Sequence, residues 1–75
     1  MEQLLEIIAK NLVNHPEAVS VNVVEKENTT VLELSVAQED MGKVIGKQGR
    51  VAKAIRTVVK AAALHEDRKV VVEIV

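Results

Sequence analysis

No cysteine and no aromatic residue occurs among the 75 residues; glycine occurs three times, histidine twice and proline once. Without cysteine there is neither a disulfide framework nor a thiolate zinc site. His15 and His65 stand alone and far apart, so no metal and no cofactor is expected. Without Phe, Trp or Tyr, nothing can stack on a ring. Met1 is followed by charged and polar residues, and no long apolar run follows. That argues against a signal peptide or a membrane span, and the expectation is a soluble, cytoplasmic protein without a membrane partner. The length suits a single small domain, 1–75, of the kind that buries only roughly 60% of its unfolded surface.

Acid is also missing, but only locally. Residues 1–40 hold eight acids and two bases, a balance of −6. Residues 41–65 hold six bases (Lys43, Lys47, Arg50, Lys53, Arg56, Lys60) and no acid, a balance of +6, and residues 66–75 return to −1. The formal net charge of −1 therefore hides a separation of sign. A solvated helix face would explain isolated charges. It does not explain the exclusion of acids, since mixed signs solubilise equally well and supply i,i+4 pairs.

Leu4, Leu5, Ile7, Ile8, Leu12 and Val13 recur at helical spacing, with Glu2 and Glu6 near the start where the helix dipole favours acids. Asn14 and Pro16 end this helix. Val19, Val21 and Val23 alternate with polar residues, as do Leu32, Leu34 and Val36, which predicts two strands; Glu27-Asn28-Thr29 suits an antiparallel turn between them. A third strand is expected in "KVVVEIV", with Val70, Val72 and Ile74 on one face. About thirty residues of helical pattern precede it. The predicted fold is α+β, ordered helix, strand, strand, helix, helix, strand: a three-stranded mixed sheet with three helices packed on one face. The long two-helix crossover returns the chain parallel.

All three glycines lie in "GKVIGKQGRVAKAIR", Gly42–Arg56. A short helix is predicted over Met41–Ile45 with Asp40 as its N-cap, ended by Gly46; Gly49 opens the next helix. The loop Gly46-Lys47-Gln48-Gly49 then offers bare backbone, a helix N-terminus and Lys47, all suited to an anion. On the second helix Val51, Ile55, Val58, Val59 and Ala62 form the expected core face. Lys53, Arg56 and Lys60 project from the opposite side and prolong the stripe begun by Lys43, Lys47 and Arg50. A phosphate-admitting corner continued by positive charge is a track for a nucleic-acid backbone. A compact structural corner needs the same glycines, and spacing alone does not separate the two.

"VIGKQG" at Val44–Gly49, followed by Ile55 and Arg56, resembles the GXXG signature of KH domains, modules that clamp about four nucleotides of single-stranded nucleic acid. The element order resembles the type II arrangement. Across its length the sequence is similar to the small bacterial stand-alone KH proteins of the KhpA (YlqC-like) family. The resemblance implies single-stranded RNA as ligand. It also implies pairing, as a homodimer or with a larger multidomain KH protein of the Jag or KhpB type, in a cytoplasmic role touching cell division and cell-wall growth. The resemblance points to Val44, Ile45, Gly46, Lys47, Gln48 and Gly49 as RNA-binding, and the basic stripe beside the loop adds Lys43, Arg50 and Lys53. Ala52 stands where many KH domains carry a large aliphatic residue, which bears on base selectivity more than on backbone binding.

With no aromatics, affinity must come from phosphates, shape and apolar contact, since each ring-stacked base contributes roughly 1–3 kcal/mol where rings exist. A weak single domain gains from a second copy through effective concentration. Arg50, Ala54, Thr57, Ala61 and Leu64 form a candidate dimer seam on the basic helix, because alanines allow close approach. Good helix formers on a solvated flank would read the same. An enzyme is not expected: Gly49 is followed by Arg50-Val51, not the Lys and Ser/Thr of a Walker loop, and Ser20 and Ser35 have no histidine patterned nearby. The alternatives are a helix-turn-helix-like DNA-binding module and a protein-interaction scaffold.

Overall fold

Helix α1 spans Glu2–Leu12, with Glu2 in its first turn and Lys10 in its last. Lys10 Nζ lies 2.8 Å from Glu6 Oε1, an i,i+4 pair. Val13 leaves the helix in extended conformation, and Pro16 opens a single 3₁₀ turn, Pro16–Ala18. Strands β1 (Ser20–Lys26) and β2 (Thr29–Ser35) follow. They pair antiparallel from Ser20↔Ser35 to Lys26↔Thr29. The turn is therefore only Glu27-Asn28, with Asn28 in the left-handed region at φ 55°, and Thr29 already belongs to β2. In this computed structural model, which describes residues 1–75, β2 leads through helices α2 (Met41–Ile45) and α3 (Arg50–Ala62) to β3 (Lys69–Ile74). Strand β3 pairs parallel to β2, with Leu32 opposite Val72, so the order is β1-β2-β3 and the sheet is mixed as predicted.

One face of the sheet carries the core. Leu32 and Leu34 from β2 and Val72 from β3 meet Leu5 and Ala9 of α1 and Ile55 and Val59 of α3. Each large member contributes roughly 1.5–3 kcal/mol by leaving water. Val70 and Ile74 join them from the same face of β3, as the alternation required. Helix α2 attaches through Val44, which is 0% exposed. Two helical stripes differ from expectation. On α3 the buried line is Ala52-Ile55-Val59, while Val58 is 46% exposed. On α1, Ile7 is 59% exposed. Each helix is rotated so that one apolar flank misses the sheet. On the opposite sheet face Val31 is buried too, between its register partners Val24 and Val71, because a central strand has neighbours on both sides.

Two polar side chains set the loops. Asp40 is fully buried, and it sits at the N-cap position of α2 without capping it. Its carboxylate instead accepts hydrogen bonds from the backbone N–H groups of Asn14 (3.1 Å) and His15 (2.9 Å). It therefore ties the end of α1 to the start of α2. Arg68 donates from Nη2 to the carbonyls of Lys26 and Thr29, and from Nε to Thr30 Oγ1. That anchors the beginning of β3 on the β1–β2 hairpin.

Candidate nucleic-acid interface

The corner between α2 and α3 is built from unusual backbone. Gly46 ends α2, its N–H donating to Gly42 O at 2.8 Å. At φ 77°, ψ 173° it occupies a region that is essentially glycine-only. A Cβ there would also sit 2.4 Å from Val51 Cγ2 and 2.8 Å from the Val51 nitrogen. The sequence expected an ordinary left-handed helix end; the structure shows a close approach of backbone to Val51 in addition. Gln48 is left-handed at φ 59°, ψ 26°, and Gly49 at φ 75°, ψ 14° forms the N-cap of α3. Gly49 N–H closes on Gly46 O at 3.1 Å. Three positive φ values in four residues fold the chain sharply and leave Lys47 and Gln48 exposed at the tip.

Lys43, Lys47, Arg50 and Lys53 are all exposed around this corner. The carboxylates of the protein that meet a basic side chain meet only Lys10, His15 and Arg68. The four charges therefore stand without carboxylate partners at the positive end of a thirteen-residue helix, which adds its own partial charge. The geometry brings together seven of the nine expected ligand-facing residues in one surface: Lys43, Ile45, Lys47, Gln48 and Arg50 are exposed beside the two loop glycines. Lys53 extends it one turn along α3. Val44 is the exception. It is fully buried and holds α2 to the core, so no base can touch it. Ile55 is likewise core, and so is Ala52.

A groove of about 430 Å³ runs beside α3, between it and the outer edge of β3. Arg56, Lys60 and Leu64 form one wall, and Lys69, Val70 and Val72 the other. Its lining includes four basic residues and no acid. Arg56 does not project freely outward, as the helical wheel implied. Its Nε donates to Val72 O across the groove at 3.3 Å. This second wall was not found from the sequence, because strand spacing does not say which strand lies beside which helix. The only available signal was Arg68-Lys69, a basic pair just before β3.

The expected dimer seam is divided by the fold. Leu64, 76% exposed, belongs to the β3 groove. Ala54 lines a separate, wholly apolar groove on the other flank of α3, with Leu4, Ile8, Leu12, Val51 and Val58. Thr57 and Ala61 are exposed between the two. The apolar continuation of Ala54 is therefore α1, not the C-terminal turns of α3.

The family model described as KhpA/KhpB, KH domain matches residues 2–74. The chain is similar to the RNA-binding protein KhpA of Clostridium perfringens, 68% identical over the full length of both chains. It is 65% identical to its counterpart in Clostridium acetobutylicum, again over both full lengths. The Listeria monocytogenes protein is 51% identical over 100% of this chain and 99% of its own. Among solved structures, the fold resembles Era in complex with MgGDPNP and nucleotides 1506–1542 of 16S ribosomal RNA, with a TM-score of 0.66 and 22% identity. The likeness covers 97% of this chain and spans 28% of that one.

Proposed function

The chain belongs to the KhpA/KhpB KH-domain family, and from that premise we propose that it binds single-stranded RNA, without catalysing a reaction. The Gly46–Gly49 corner grips the phosphate backbone and the bases lie in the groove between α3 and β3. The observation that carries this reading is the unpaired basic corner: four exposed cations around a turn whose Gly46 sits in glycine-only backbone, at a helix N-terminus, with no acid from residue 41 to residue 65. Phosphate contacts of this kind position a strand. The names of the relatives, RNA-binding proteins in each case, support the choice of RNA.

The protein acts in the cytoplasm as a pair, with a second copy or with a Jag/KhpB-type multidomain KH protein. The apolar α1–α3 groove supports pairing. A post-transcriptional role linked to cell division and cell-wall growth is supported by the family resemblance.

The test compares single-stranded RNA, single-stranded DNA and duplex DNA against wild type and the double variant Lys47→Asp/Gln48→Asp. Both side chains face solvent, and Asp tolerates the left-handed backbone of position 48, so the variant folds. Binding to single-stranded RNA is expected in the wild type and abolished in the variant. Unchanged affinity in a folded variant excludes the corner as the site. A preference for duplex DNA selects the helix-turn-helix-like alternative.

A further inference from the structure

Arginine occurs three times in the chain, at positions 50, 56 and 68. The guanidinium of Arg68 is committed to the Lys26 and Thr29 carbonyls and Thr30 Oγ1. Arg50 stands at the glycine corner, where a phosphate is expected. Arg56 and Arg68 both line the β3 groove, and of the two only Arg56 keeps both Nη groups free of the protein. Its Nε–H is used by Val72 O, which fixes the plane of the group against the strand edge. A guanidinium has five N–H donors; the four on its Nη atoms make no hydrogen bond or ion pair with the protein. No acid lines the groove, so nothing within it competes for them. The neighbouring surface is apolar, from Leu64, Val70 and Val72, and suits the face of a base.

We infer that Arg56 is a specificity-determining residue, and that it selects the bases with two adjacent acceptors, guanine and cytosine, over adenine and uracil. A planar fork pre-set at the edge of a groove matches the adjacent O6 and N7 acceptors of guanine in a bidentate manner. In a single strand, whose Watson–Crick edges are also exposed, cytosine offers O2 beside N3 as a second such acceptor pair, whereas adenine places its N6 donor beside N7 and N1, and uracil places N3–H between its two carbonyls. In a protein without aromatic side chains, this fork is the strongest base-reading element available. The inference rests on the RNA-binding reading above. It adds which bases the α3–β3 groove selects and the residue that selects them.

The experiment measures affinity for seven-nucleotide oligouridylates whose central base is G, A, C or U, against wild type, Arg56→Lys and Arg56→Met, with thermal melts of each protein. Lysine keeps the charge and loses the fork; methionine keeps the apolar stem. Wild type is expected to favour the guanine and cytosine oligonucleotides over the adenine and uracil ones by about tenfold, the scale of one bidentate contact. The ratio collapses to within about twofold in a folded Arg56→Lys, or in Arg56→Met should the lysine variant melt early. Equal binding of the four oligonucleotides by wild type overturns the inference. So does a preference for guanine and cytosine that survives in either folded variant, or an equal weakening of all four with no change in ratio, which marks a phosphate contact. Failure of every oligonucleotide to bind wild type overturns the RNA-binding reading itself, a result distinct from loss of the ratio.

Discussion

A methyl group added at Gly46 would collide with Val51 at 2.4 Å, whereas the same group at Gly49 meets nothing within 4 Å. Both residues have positive φ, 77° and 75°, so both pay for a side chain in backbone strain, and only Gly46 adds a clash with backbone and Cβ atoms that have nowhere to move. Gly49→Ala is expected to cost about 1–2 kcal/mol, the left-handed penalty. Gly46→Ala is expected to cost about 3 kcal/mol or more, strain plus overpacking. Denaturant melts of the two variants check the order, and equal destabilisation refutes the geometry of the corner. Asp40 makes a separate case. Its carboxylate serves two backbone amides across 25 and 26 residues of sequence. Asp40→Ala leaves both without acceptors and is expected to cost about 2–4 kcal/mol, from charged hydrogen bonds worth about 1.5–3 kcal/mol each with partial solvation of the amides. A loss below about 0.5 kcal/mol would mean that water replaces the carboxylate freely.

At the scale of elements, the apolar flank shared by α1 and α3 borders the core, which Ile8 and Val51 also touch, and leaves Leu12 and Val58 exposed. Leu4, Ile8 and Leu12 lie on one side of it, Val51, Ala54 and Val58 on the other. A charge in its middle should prevent pairing if pairing uses it. Val58→Asp is expected to sediment as a monomer at concentrations where wild type is a dimer, while Ala61→Asp, on exposed α3 surface outside this groove, has little effect. A dimer that survives Val58→Asp but not Ala61→Asp would return the interface to the alanine seam. The difference between the two surfaces marks where sequence reading ends. Period-two valines and 3.6-period leucines identified all three strands and both long helices, because each element's burial is a local pattern. The glycine corner and its cations were legible for the same reason. What was not legible depends on how elements face each other. The wheel of α3 does not reveal that β3 lies beside Arg56, nor that α1 extends the patch of Ala54. Asp40 looked like a cap because a cap is local, whereas its amides come from a distant turn. Val44 looked available beside the GXXG loop, yet its direction is set by contacts of α2 with the core.

At the scale of the molecule, the charge map predicts how binding responds to salt. The segment balance of −6 over residues 1–40 falls on α1 and the hairpin, and that of +6 over residues 41–65 on α2 and α3. The Debye length is about 8–10 Å near physiological salt, so a phosphate at the corner responds chiefly to the charges nearest it, Lys43, Lys47, Arg50 and Lys53. With about three phosphates neutralised per domain, and a log–log slope of roughly −0.7 for each on a single strand, the slope should be near about −2. Raising monovalent salt from about 50 to 200 mM then weakens binding roughly twentyfold. Lys47→Ala removes one contact and is expected to flatten the slope by about 0.7. Lys10→Ala, on α1 and paired to Glu6, serves as the control and should leave it unchanged. A slope near zero in wild type would place the affinity in apolar contact with bases, and the cations of α3 would then be a solvated helix face. An equal flattening by Lys10→Ala would mean that net charge, rather than the corner, draws the strand to the protein.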